Sequence, residues 1–186
     1  MFIIKNNYYL YIENTRSVNL NYIRKNKKIC FIYRESSITE NKIDIRKFRN
    51  KCRVKGFKFY VANNYSLSKY CKADGIYLSS YNKKKYSIHS QNLIGSAHNF
   101  REIYEKIKQG CNPIVLSRLF ETSYKNKKNY LGVVKFNLMT KKYRINIVPL
   151  GGINSENLLK LNIVSSKGLC LLSEIKKKPV ISNRLF

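Results

Sequence analysis

The run KICFIYR, residues Lys28 to Arg34, is continuously apolar between its charged ends. Aromatic and β-branched residues without polar alternation read as a strand of a parallel sheet that is covered on both faces. Similar runs occur on either side of it. YYLYIEN (Tyr8 to Asn14) precedes it, and FKFYVAN (Phe57 to Asn63) and DGIYLSS (Asp74 to Ser80) follow. NLIGSAH (Asn92 to His98), PIVLSRLF (Pro113 to Phe120), NIVPLGG (Asn146 to Gly152) and GLCLLSE (Gly168 to Glu174) complete a set of eight.

Between several of these runs the apolar period changes to that of a helix. FREIYEKIKQG sets Phe100, Ile103, Tyr104 and Ile107 on one face, with Asn99 as cap, Glu102 three residues on, and Gly110 as the stop. Ser155 precedes ENLLKLN, whose leucines suit a helix covering a sheet, and Glu40 to Cys52 allows another helix through Ile43, Ile45, Phe48 and Cys52. Ser66 to Cys71 has room for little more than a turn. Strands alternating with short helices point to an α/β fold: a small single-domain (β/α)8 TIM barrel with shortened helices, spanning residues 1–186. An open doubly wound sheet of five or six strands is the alternative that pattern alone allows. The chain of 186 residues is shorter than the roughly 200–250 residues of the usual barrel.

Composition narrows the function less than its charge suggests. The chain has 37 Lys+Arg against 10 Asp+Glu, a net charge of +27, which would attract any polyanion. Yet lysine, asparagine and tyrosine are abundant along the entire length, as an AT-rich coding sequence would produce. The sequence has no helix-turn-helix cue, zinc pattern or RNP-like motif, so nucleic acid is not the expected partner. No apolar run is long enough to span a membrane. The start, MFIIKNNYYLYIEN, lacks the features of a secretory signal, so a cytoplasmic location is the default expectation. Cys30, Cys52, Cys71, Cys111 and Cys170 are scattered without a CxxC pair, which argues against a disulfide framework or zinc site.

Six motifs in order resemble the thiamine phosphate synthase and TenI family of small barrels. IYRES (Ile32 to Ser36) is similar to the family's strand ending in Arg-Glu-Lys, and YVANN follows. ADGIYLSS resembles the family's Ala-Asp-Gly-Val-His-Leu-Gly-Gln run; IGSAHN, LFETSYK and VPLGGINSEN come after it. The resemblance runs from Tyr8 to Ile175 and implies the barrel, a phosphorylated thiazole or pyrimidine as ligand, and a phosphate site at the ends of strands seven and eight. There Gly151 and Gly152 allow the main chain to approach an anion, with Ser155 and Asn157 as supporting donors and Ser173 facing the phosphate.

The resemblance also implies a catalytic set of Arg34, Ser96, Thr122 (with Ser123 beside it) and Lys125. Arg34, Asn63 and Lys125 would join Gly151, Gly152 and Ser173 in holding phosphate, while Tyr77, His98 and Arg118 would line the pocket. Departures from the family pattern bear on activity. Its two metal-holding aspartates fall at Asn64 and Asn82, and its pyrophosphate lysine at Ser36. Asparagine brings no charge to the Mg2+ that would be the cofactor of a retained synthase activity. Arg118 stands where TenI proteins have a histidine, and Tyr77 replaces another; His89 and His98 remain.

The expected function is therefore thiamine phosphate synthase-like, joining a pyrimidine pyrophosphate to a thiazole phosphate, in divergent or inactive form. A TenI-like tautomerase or non-catalytic phosphate-ligand barrel is the first alternative, and a basic nucleic-acid-binding protein the second. A homodimer is left open.

Overall fold

A computed structural model describes residues 5–23, 25, 27–35, 40–86, 92–122 and 129–171. Eight parallel strands close into a barrel in sequence order: β1 Asn7–Ile12, β2 Ile29–Tyr33, β3 Lys58–Ala62, β4 Gly75–Leu78, β5 Asn92–Ala97, β6 Ile114–Ser117, β7 Ile147–Leu150 and β8 Gly168–Leu171. Seven lie inside the apolar run expected for them, and β1 starts one residue before its run, at Asn7. Tyr9 pairs with Cys30 of β2 on one side and Cys170 of β8 on the other, which closes the ring and rules out the open sheet.

Strand alternation sorts the apolar residues into two layers. Tyr9, Tyr11, Cys30, Ile32, Tyr60, Tyr77, Ile94, Val115, Val148 and Cys170 fill the barrel interior. Such interiors are usually dominated by Val, Ile and Leu; four tyrosines here carry hydroxyls into it. Tyr8, Leu10, Ile12, Phe31, Tyr33 and Phe59 face outward against the helices.

The described helices are α1 Lys42–Val54, α2 Tyr65–Cys71, α3 Phe100–Lys108 and α4 Gly132–Lys141. α1 buries Ile45, Phe48 and Cys52, and the Phe48 ring packs edge-on to Phe31 at 5.7 Å. Its Arg49 donates to the Lys72 carbonyl and to Asp74, whose other carboxylate oxygen accepts the Phe59 N–H at 2.8 Å. The aspartate of ADGIYL thus ties α1 to β3 and β4. α3 starts on the expected capping box: Asn99 accepts from the Glu102 N–H at 2.9 Å and donates back to its carboxylate at 3.0 Å. Its face is rotated from the expected one. Ile103 and Lys106 are buried, whereas Phe100 and Tyr104 are exposed beneath the ammonium groups of Lys142 and Lys108.

The segment after β7 is not an α-helix capped by Ser155. It is a 3-10 helix, Leu158–Ile163, preceded by a turn in which Asn154 accepts from the N–H groups of Glu156 and Asn157. All five cysteines are buried and unpaired. No helix among the described residues is long and apolar enough to cross a membrane.

Candidate functional site

A parallel barrel sends every strand's C-terminal end to one rim, so residues just past those ends converge whatever their separation in sequence. Arg34 follows β2, Asn63 and Asn64 follow β3, His98 follows β5, Arg118 follows β6, and Gly151 follows β7. Tyr77 and Ser96 sit near the ends of β4 and β5. Ser36, His89, Ser123, Lys125 and Ser173 lie outside the described residues, as do the Lys-rich segments 125–128 and 176–178.

On the β6–β7 side, Gly151 and Gly152 form a turn with φ of +99° and +69°. The left-handed backbone and the space both demand glycine. A Cβ at Gly152 would stand 2.2 Å from the Glu121 carbonyl oxygen and 2.5 Å from that of Phe120, and one at Gly151 would meet the Arg118 side chain. The Phe120 N–H donates to the Gly151 carbonyl at 3.0 Å, and Asn157 donates to that of Gly152 at 2.7 Å. The turn is fixed from both sides, and the Gly151 and Gly152 N–H groups donate to no described residue. Arg118 donates to Thr122 Oγ1 at 2.7 Å and to the Asn129 carbonyl at 3.0 Å, which holds its side chain against the turn.

The floor of the rim is a chain of hydroxyls. Tyr11 donates to Tyr77 at 2.5 Å, and Ser96 is a further hydrogen-bond partner of Tyr77. The Arg34 guanidinium lies 5.6 Å from the centre of the Tyr11 ring. Burial raises both phenols, Tyr77 to about 12, so both stay protonated and serve as hydrogen-bonding groups rather than bases. Tyr11 was not among the expected site residues, because nothing in YYLYIEN distinguishes one inward tyrosine from the next.

The β3–β4 side is an amide network. Asn63 occupies the left-handed region at φ +55°, which asparagine tolerates. Its amide nitrogen donates to Ser79 and Tyr81, and its oxygen accepts from the Ser79 N–H and from Asn82. Asn64 caps α2 by accepting from the Leu67 N–H at 2.9 Å, and the Asn82 side-chain oxygen accepts from the Lys84 N–H at 3.0 Å. The two positions where the resemblance puts metal carboxylates therefore offer neutral oxygens already engaged by backbone donors. Magnesium is held through one or two carboxylates, so these residues do not fit it. Among the described residues no cluster of three or more His, Cys, Asp or Glu side chains could hold a metal ion.

His98 is exposed and turned to α3: its Nδ1 lies 2.9 Å from Glu102, and its backbone N–H donates to the same carboxylate. The structure places it in the helix cap rather than among the rim groups. Lys106 was missed altogether. Its ammonium is buried and donates to the Asn82 carbonyl at 2.7 Å and to Gln109 at 2.9 Å. A lysine in a charged helix reads as solvent-facing, and only the through-space partner 24 residues away reveals otherwise.

Comparison with known proteins bears on the family and the fold. The family model described as TMP-TENI, thiamine monophosphate synthase, matches residues 15–175. The thiamine-phosphate synthase of Prochlorococcus marinus (strain AS9601) is 29% identical over 132 residues, covering 68% of this chain and 38% of that protein. Its counterpart in Prochlorococcus marinus subsp. pastoris is 32% identical over 121 residues, covering 62% of this chain and 33% of that protein. The matched region is thus well under half the length of these relatives. The solved thiamine phosphate pyrophosphorylase of Pyrococcus furiosus superposes with a TM-score of 0.73 at 16% identity, covering 96% of this chain and 91% of the other. That likeness shows the fold.

Proposed function

Since this chain belongs to the thiamine monophosphate synthase family, we propose that its barrel binds the phosphate of a phosphorylated thiazole at the rim between β6 and β8, and carries out little Mg2+-assisted condensation with a pyrimidine pyrophosphate. The observation that carries the reading is the Gly151–Gly152 turn. It is a fixed, positive-φ main-chain curve with two N–H groups unclaimed by described residues and Arg118 packed against it. Main-chain amides with an adjacent guanidinium suit a phosphate monoester.

Arg34, at the rim above Tyr11, supplies a second cation; Ser96, Tyr77 and Thr122 supply hydroxyls for the heterocycle. Ground-state binding of this kind does not by itself lower a barrier. The pyrophosphate leaving group needs charge neutralisation, and Asn64 and Asn82 bring no carboxylate to a metal that would supply it. Proton-shuttling chemistry of the TenI kind is not favoured either. Arg118 puts a guanidinium, a poor proton shuttle, where TenI proteins have a histidine, and His98 is committed to the α3 cap. In this reading the protein works in the cytoplasm on small phosphorylated molecules.

Calorimetry with the thiazole phosphate tests the binding. The native protein should bind, and Arg118→Gln should weaken binding about tenfold, the loss of one charge-assisted contact. Equal affinity in both proteins would remove the β6–β7 turn as the phosphate site. Rapid Mg2+-dependent pyrophosphate release by the native protein would refute the catalytic half of the reading.

A further inference from the structure

At the foot of the barrel, the end away from the rim, a groove of about 800 Å³ runs between the last turns of α4, the start of β7 and the loop leading into β8. Tyr143, Ile145 and Val164 give it apolar walls, and Leu138 of α4 lines it while remaining 68% exposed. The apolar surface continues beyond the groove. Val134, one turn before Leu138, is 73% exposed, and Ile163, next to Val164, is 66% exposed.

Exposed apolar residues that stand singly are ordinary. These are held together by a built frame. Asn137 donates to the Ile163 carbonyl at 2.8 Å and accepts from the Ser165 N–H at 2.8 Å, so one side chain clamps the end of the 3-10 helix Leu158–Ile163 to α4. Ser166 Oγ lies 2.8 Å from the Ile147 carbonyl and 2.9 Å from that of Gly168, which ties the same loop to β7 and β8. The groove is thus formed before anything enters it, and a partner need not order it.

Lys141, Arg144 and Lys167 also line the groove. None of them forms an ion pair with a described residue, and no described carboxylate lines the groove. An apolar strip edged by cations selects among possible occupants. A phosphate backbone offers nothing to Val134, Leu138 and Ile163. A bilayer surface does not enter a concavity. A second copy, paired about a two-fold axis, would set these cations against their own counterparts in a chain of net charge +27.

We propose that this groove is a docking surface for an acidic amphipathic helix of a partner protein. The helix sets its apolar face on Leu138 and Ile163 and its carboxylates against Lys141, Arg144 and Lys167. The site draws on no rim residue, so it stands independently of the phosphate-binding reading.

Fluorescence anisotropy of the full chain with two labelled peptides tests it. One is a peptide of Leu, Ala and Glu with Leu at helical spacing; the other has the same composition, shuffled so that no apolar face forms. The patterned peptide should bind about tenfold more tightly. Leu138→Gln/Ile163→Gln alters no charge and should remove that preference, two apolar anchors being lost. Both side chains are largely exposed, so thermal melting and thiazole phosphate affinity should stay as in the native protein. Lys141→Gln/Arg144→Gln should weaken the patterned peptide about threefold, as exposed ion pairs do. Lys84→Gln/Lys85→Gln, at the opposite end of the barrel, should stay within about twofold, because charges beyond about 8 Å are screened at physiological salt.

Equal affinity for the two peptides, or a preference that survives Leu138→Gln/Ile163→Gln, would overturn the proposal and identify the attraction as the diffuse charge of the chain. Self-association of the native protein that the same variant abolishes would overturn it in favour of a second copy. Binding to vesicles of an anionic lipid, lost in that variant, would overturn it in favour of a membrane.

Discussion

Replacing Gly152 by alanine probes how tightly the rim turn is built, and Gly132 supplies an internal reference. Both glycines have φ of +69°, so an alanine at either carries the same left-handed strain, about 1 kcal/mol. Both replacements also restrict the unfolded chain equally, and that effect cancels between them. Their surroundings differ. Nothing lies within 4 Å of a Cβ at Gly132, whereas one at Gly152 would stand 2.2 Å and 2.5 Å from two backbone carbonyl oxygens. No side-chain rotation relieves a clash with backbone, so the chain between Phe120 and Gly152 must shift. Overpacking of this kind costs about 1–3 kcal/mol. Gly132→Ala should therefore lose about 1 kcal/mol or less, and Gly152→Ala about 2–4 kcal/mol in all. Urea unfolding followed by far-UV circular dichroism reads both values from the same baseline. Equal losses at the two positions would refute the argument, because they would show that backbone conformation, and not contact, decides these sites.

Asp74→Ala should be destabilising by about 2–4 kcal/mol, because it strands the mostly buried Arg49 guanidinium and the Phe59 N–H together. Thermal melting measures it, and a loss below about 0.5 kcal/mol, the range of ordinary surface changes, would contradict the structural role given to that aspartate. Tyr77, raised to about 12 by burial, holds its proton in the folded state after an unfolded tyrosine has released it. Its contribution is present below the ordinary phenol value of 10.0 and is lost as pH rises from there to about 12. Stability measured by urea midpoint should fall across that window, and less steeply in Tyr77→Phe; identical slopes would count against the buried position of the hydroxyl.

The strands are legible because their signal is local: a run such as Ile29 to Tyr33 is fully buried on both faces and accordingly carries no polar residue. The rim follows from the strands, since a parallel barrel fixes which end each motif occupies. α4 was not legible. Phe136 and Met139 are buried while Val134 and Leu138 are exposed, so apolar residues occur around the whole helix and no stripe stands out. In α3 the stripe misleads, because Lys142 and Lys108 cover the aromatic faces of Phe100 and Tyr104 from the solvent side. The amide network is the hardest case. Asn63 and Asn82 are both ordinary turn residues by sequence, and their bond spans 19 positions. Only the closed barrel brings the ends of β3 and β4 side by side and turns two unremarkable asparagines into one structure.

The buried thiols have a use beyond packing. Burial raises all of them, Cys30 and Cys52 to about 12 and Cys111 to about 11, so the folded chain presents almost no thiolate to an alkylating reagent at neutral pH. They are also spread around the circumference: Cys30 on β2, Cys52 on α1, Cys71 closing α2, Cys111 ahead of β6, and Cys170 on β8. Each becomes reactive only when its own sector of the wall comes apart. The order in which the five are alkylated, read by mass spectrometry over time, would therefore chart how the barrel breathes, and whether the ring first parts at the β8–β1 seam or elsewhere.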